Sequence, residues 1–158
     1  MNDRIITISA LFFIVVLFAG CMSIPHAYKG EKQLEDELSL LWSAGAGGTL
    51  SITGVNDRDI NPFFGGSLTA FVKPGMNKVR FFFTTTDYSS SIKTDVDWEV
   101  SFNCEKNHTY IFYPHITDND QYFLVGRDMG TDYIFDENKP LGIVQIEAEQ
   151  KGIPVEFY

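Results

Sequence analysis

The stretch "WEVSFNCE" (residues 98–105) alternates an apolar and a polar residue at every step. A β-strand sends successive side chains to opposite faces, so Trp98, Val100, Phe102 and Cys104 point one way and Glu99, Ser101, Asn103 and Glu105 the other. Such alternation marks a half-buried antiparallel strand with one wet face. The period of two continues outward from this stretch. In "KVRFFFT" Val79, Phe81 and Phe83 share a face, and Phe82 breaks the pattern toward water. Leu68, Ala70 and Val72 alternate with Ser67, Thr69 and Lys73, and Leu50 and Ile52 with Ser51 and Thr53. On the C-terminal side, "TYIFY" (109–113) and "YFLV" (122–125) are apolar on both faces, as central strands are, and "GIVQIEAE" (142–149) and "IPVEFY" (153–158) read as two more strands.

Breakers separate these runs. Pro74-Gly75 suits the centre of a type II turn, since proline presets φ and glycine accepts φ > 0. Asn107 is the residue other than glycine that best tolerates the left-handed conformation. About seven to nine short strands with these turns predict an all-β fold, an antiparallel β-sandwich or small barrel, over residues 47–158. Ahead of it, "EKQLEDELSLLW" (31–42) places Leu34, Leu38 and Leu41 at i, i+4 and i+7, which predicts one short helix ending at the glycines after Ser43.

The chain opens with Met1 to Arg4, continues uncharged from Ile5 to Phe18, and turns polar after Ala19-Gly20-Cys21. One basic residue, a short apolar core and a small-residue exit make a secretory signal peptide over residues 1–20, and the apolar run falls short of the roughly 20 residues that span a bilayer. A cysteine directly after Ala-Gly resembles the lipobox of bacterial lipoproteins, with Phe18 standing where the pattern prefers leucine. The resemblance implies that Cys21 carries fatty acyl chains such as palmitate and begins the mature chain, with residues 22–30 as a tether. Each buried methylene is worth about 0.8 kcal/mol, so a multiply acylated cysteine holds a soluble domain on a membrane without a spanning helix.

Three further pieces resemble small bacterial lipoproteins together: "YKGEKQLEDELSLL", "LSITGVND" and "VKPGMNKVRF", with "CEKNHTYIF" similar to a closing segment that carries glycine where Asn107 stands. The likeness covers about residues 17–113 and rests on turns and strand patterns. It implies a periplasm-facing lipoprotein with a compact β-sandwich domain and carries over no catalytic residue. Met22 after the cysteine is unlike the aspartate of an inner-membrane retention signal, which in a diderm points to the outer membrane.

The formal charge of -9 argues against nucleic acid and against anionic lipid surfaces as partners. With Cys21 lipidated, Cys104 is the remaining cysteine, so no disulfide framework is expected; a Cys21–Cys104 bridge is the alternative if Cys21 is not acylated. Cys104 and His108 have C-x₃-H spacing, but an inward-facing cysteine and a histidine in the next turn point apart, which argues against zinc and against a Cys-His nucleophile pair. Asp57, Asp59 and Asn61 begin like a calcium loop, yet Pro62 replaces the turn glycine and Leu68 the closing acid. Asp128, Asp132, Asp136 and Glu137 crowd a loop that reads as solvated. No catalytic residue, metal or cofactor is therefore assigned. Phe63 and Phe64 in "INPFFGGS", with Phe82, are the candidate contact residues for an envelope protein or glycan partner. The expectation is a non-enzymatic binding or accessory-subunit role. The alternatives are a glycan-acting enzyme using paired carboxylates, a glycan-binding module and a structural spacer.

Overall fold

The computed structural model describes residues 24–45, 47–61, 65–87 and 92–158. The strands among them are β1 (Ser39–Ser43), β2 (Thr49–Val55), β3 (Arg58–Asp59), β4 (Thr69–Val72), β5 (Gly75–Asp87), β6 (Ile92–Cys104), β7 (Thr109–Ile116), β8 (Tyr122–Asp128) and β9 (Ile153–Pro154). A helix, α1 (Leu141–Lys151), stands between β8 and β9. The strands form two sheets, ordered β4-β1-β7-β8-β9 and β3-β2-β5-β6, and the fold is an all-β sandwich. Pairing is antiparallel except between β1 and β7, which run parallel.

The alternating residues build the core between the sheets. Val79, Phe81 and Phe83 of β5 and Phe102 and Cys104 of β6 are buried, and they meet Leu41, Tyr110 and Phe112 from the other sheet. Trp98 and Val100 are half-buried at the margin of this core. Phe112 is its centre, with ring centroids of Phe81 at 4.8 Å, Phe102 at 5.1 Å and Phe157 at 6.4 Å. Burying each such ring contributes about 2–3 kcal/mol by transfer from water alone. Gly126 of β8 makes room for this cluster: a Cβ there would lie 3.0 Å from both Phe112 and Phe157. The turns behave as their residues require, with Gly75 at φ +108° and Asn107 at +62°.

Three elements differ from the sequence expectation. No helix spans 31–42. A 3₁₀ turn at Glu35–Glu37 leads straight into β1. Leu38 to Trp42 are buried at every successive position, whereas Leu34 is 70% exposed, so the leucine spacing does not describe one helical face. Ser39 and Ser43 are buried within the strand, where their hydroxyls donate to the carbonyls of Glu105 (2.7 Å) and Leu68 (2.8 Å). The sandwich thus includes residues before 47.

The second correction concerns 142–149, which is helical. Val144 and Ala148, four residues apart, pack against Trp42, Ile111 and Tyr113 on the outer face of the five-stranded sheet. That face is covered, which is why β1 and β7 are apolar on both sides. Third, "IPVEFY" pairs as a strand only at Ile153–Pro154. Beyond it the tail crosses between the sheets: Val155 N–H donates to Gly126 O (3.0 Å) and Tyr158 N–H to Ser101 O (2.9 Å). Val155 and Phe157 pack against the core on the way.

Candidate functional site: paired clefts around Tyr28 and Arg58

Residues 24–30 do not form a free tether. Phe71 N–H donates to Pro25 O (2.9 Å) and Ala27 N–H to Phe71 O (2.8 Å), so this segment runs beside β4 as an added edge. Ile24 and Tyr28 pack against Leu38, Leu40 and Phe71, and the His26 ring lies 5.3 Å from that of Phe71. The segment is held by backbone pairing and by apolar contact together.

Fixing this segment creates two clefts with Tyr28 and Arg58 common to both. One, of about 340 Å³, is bounded by Pro25, His26, Lys32, Asp59, Ile60 and Asn61. The other, of about 290 Å³, is bounded by Lys29, Asn56, Asp57, Lys73, Met76 and Asn77. Arg58 donates from its guanidinium to Tyr28 O (2.9 Å). Lys73 Nζ stands 5.0 Å from the centre of the Tyr28 ring, within cation–π range. The Tyr28 hydroxyl accepts from Gln33 N–H (2.9 Å) and hydrogen-bonds His26 Nδ1 (3.1 Å). Tyr28 is thereby fixed at ring and hydroxyl, a rigid wall between the clefts.

The floor is equally well held. Asn56 sits at φ +52° in a two-residue hairpin between β2 and β3, as such tight hairpins demand. Its side-chain Oδ1 accepts from Lys78 N–H (3.0 Å) and its Nδ2 donates to Asn77 Oδ1 (3.2 Å). Asn77 is buried and donates to the carbonyls of Lys73 (2.9 Å) and Gly75 (3.0 Å), which closes the Pro74-Gly75 turn. Asp59 pairs with Arg80 and lies opposite Gly54, so the Asp57-Arg58-Asp59 stretch turns a β-hairpin. Burial, and next the charge of Lys32, hold His26 below the usual histidine range, with Glu35 opposing.

A second polar group lies at the 104–110 turn. His108 Nδ1 is 2.9 Å from both carboxylate oxygens of Asp128, and its Nε2 is 3.6 Å from Glu105. Asp128 also accepts from Gly130 N–H (2.8 Å). Cys104 belongs to the core instead, where burial pushes its thiol up to about 12. The sequence spacing set His108 beside Cys104; its partner, Asp128, becomes visible only once the β7–β8 register sets Tyr110 opposite Asp128.

Of the crowded acids, Asp128 is engaged by His108, Asp136 accepts from Asn138 N–H (2.9 Å), Asp132 accepts from the Thr131 hydroxyl (3.4 Å) and Glu137 is exposed; outside that group, Glu147 of α1 accepts from Tyr133 (2.7 Å) and Lys139 (2.8 Å). Among the described residues no three His, Cys, Asp or Glu side chains converge as metal ligands. Each cleft is lined by a single described carboxylate, Asp59 in one and Asp57 in the other, so neither presents the paired acids of glycoside cleavage. Phe82 is half-buried on the outer face of the four-stranded sheet, opposite Ser51 and Asp97. Cys21, Phe63 and Phe64 lie outside the described residues, as does the signal segment 1–20; Asn61, which lines the larger cleft, is two positions before Phe63. The clefts themselves were missed from sequence. Their lining comes from three separated segments, 25–32, 55–61 and 73–77; each passes through a stretch read for its turns or strands, and nothing local to any one stretch joined them.

Among the described residues, no helix is long and apolar enough to cross a membrane. No protein family matches the chain, and neither a curated protein nor a solved structure matches it.

Proposed function

We propose that this chain is an envelope lipoprotein, acylated at Cys21, whose sandwich domain binds another envelope component without catalysing a reaction. The observation that carries the reading is where the domain begins. Ile24 to Tyr28 are already packed on β4 and the clefts, so two residues, Met22 and Ser23, with a reach of at most about 10 Å, separate Cys21 from the folded body. An acyl group at Cys21 holds the clefts at the membrane face, in contact with whatever protein or glycan partner is embedded or assembled there. Local concentration at that surface substitutes for high intrinsic affinity, which suits an accessory subunit. The absence of an aspartate after Cys21 favours the outer membrane, facing the periplasm.

Crosslinking in intact cells, followed by pull-down of the tagged protein and of a Cys21→Ala version, tests the reading. A discrete partner captured by the lipidated form and lost with Cys21→Ala is the expected result. Equal capture by both forms at equal export refutes the tethered-subunit role.

A further inference from the structure

Within a chain of formal charge -9 the lining of the two clefts is cationic, with Glu31, Glu35, Asp36 and Glu37 bordering it on the segment that carries Lys32. Four cations, Lys29, Lys32, Arg58 and Lys73, line the two clefts. Against them stand Asp57 and Asp59, and Asp59 is already held by Arg80. Among the described residues no carboxylate forms an ion pair with any of the four cations. Lys29, Lys32 and Arg58 are exposed, while Lys73 is drawn inward over the Tyr28 ring and beside Gly30, where a Cβ would stand 3.9 Å from Nζ.

We propose that these clefts bind the phosphate of anionic lipid headgroups in the membrane to which the chain is tethered, an inference that rests on the reading of Cys21 as the anchor. Position and charge argue together. The cleft residues Pro25 and His26 follow Cys21 by four and five positions, so the nearest surface to the clefts is the bilayer that holds the acyl chains. The guanidinium of Arg58 and the ammonium groups of Lys32 and Lys73 supply donors to phosphate oxygens. The net negative charge does not oppose this. Within the clefts the cations meet the headgroups at direct contact, at which range they act undiluted by charges more than a screening length away. The contact therefore sets the orientation in which the domain meets its partner.

The test uses the mature lipidated protein in neutral-detergent micelles doped with phosphatidylglycerol or phosphatidylcholine, following the ring signals of His26 by NMR. A saturable shift with phosphatidylglycerol and none with phosphatidylcholine is expected. Arg58→Gln with Lys73→Gln weakens half-saturation by about fivefold for each cation removed, whereas Lys78→Gln, at a lysine paired with Glu99 outside the clefts, leaves it unchanged. Identical half-saturation in the double variant, or no saturable shift, overturns the proposal. Displacement by inorganic phosphate at equal concentration overturns the lipid as source and leaves a site for a free anion. Intact mass of the same preparation separates the two levels: an acylated Cys21 without headgroup binding refutes the clefts alone, and headgroup binding by an unacylated chain refutes the anchor alone.

Discussion

Phe112→Ala removes the ring on which both sheets close. The side chain is fully buried, and the rings of Phe81, Phe102 and Phe157 stand around it at 4.8, 5.1 and 6.4 Å. Truncation forfeits the transfer of a benzyl group and leaves a cavity bounded by rings from β5, β6 and the C-terminal tail, which cannot all move inward together. Buried Phe→Ala changes of this kind cost about 3–5 kcal/mol, a large share of the roughly 5–15 kcal/mol that stabilises a domain. For a domain of this size the loss lowers Tm by about 10–20 °C. Phe112→Leu retains most of the volume and costs about 1–2 kcal/mol. Urea unfolding followed through Trp42 and Trp98 fluorescence measures both. An Ala variant within about 1 kcal/mol of wild type, at unchanged m value, would refute the placement of Phe112 between the sheets.

Further outcomes follow from the same packing. Ala148→Glu puts a carboxylate against Trp42, Ile111 and Tyr113, so α1 leaves the sheet or the domain loses at least about 3 kcal/mol, while the exposed Glu149→Ala stays within about 0.5 kcal/mol; near-ultraviolet circular dichroism reports the Trp42 environment. With its thiol pushed up to about 12 by burial, Cys104 resists a thiol reagent at mildly alkaline pH and reacts fully in guanidinium, and rapid native labelling would contradict its core position. Glu147 is held below the ordinary value of 4.5, first by Lys139 and then by Tyr133. A depressed carboxyl pKa stabilises above the unfolded value and the contribution is lost as pH falls through the folded one. Protection of the amides in residues 133–147, taken relative to their intrinsic exchange at each pH, therefore falls on acidification through the carboxylate range, and Glu147→Gln, already lacking the charge, loses that dependence.

What was legible in the sequence is what depends on one wet face. The alternation in residues 98–105 places Phe102 and Cys104 inside and Glu99, Asn103 and Glu105 outside, and Val79, Phe81 and Phe83 share the buried face of β5. Pro74-Gly75 and Asn107 mark turns through backbone chemistry alone, so they too were readable. The five-stranded sheet was harder because it is covered twice. Leu38 to Trp42 lost their period-two signal when both faces became apolar, and three leucines at helical spacing were left to suggest a helix. In α1 the apolar Val144, Ile146 and Ala148 fit alternation as well as a helix, and only contact with Ile111 and Tyr113 distinguishes Val144 and Ala148 from the half-exposed Ile146. The clefts had no local signal, since Lys32, Arg58 and Lys73 meet through the pairing of residues 25–27 with β4. Total charge obscured them further, because a sum over the chain carries no position.

Intact mass spectrometry of the mature protein from membranes tests the central claim most directly. The account predicts a chain that begins at Cys21 and carries the added mass of fatty acyl groups on that residue, all of it lost in Cys21→Ala. A mature chain that begins elsewhere, retains residues 1–20, or carries an unmodified Cys21 would contradict it.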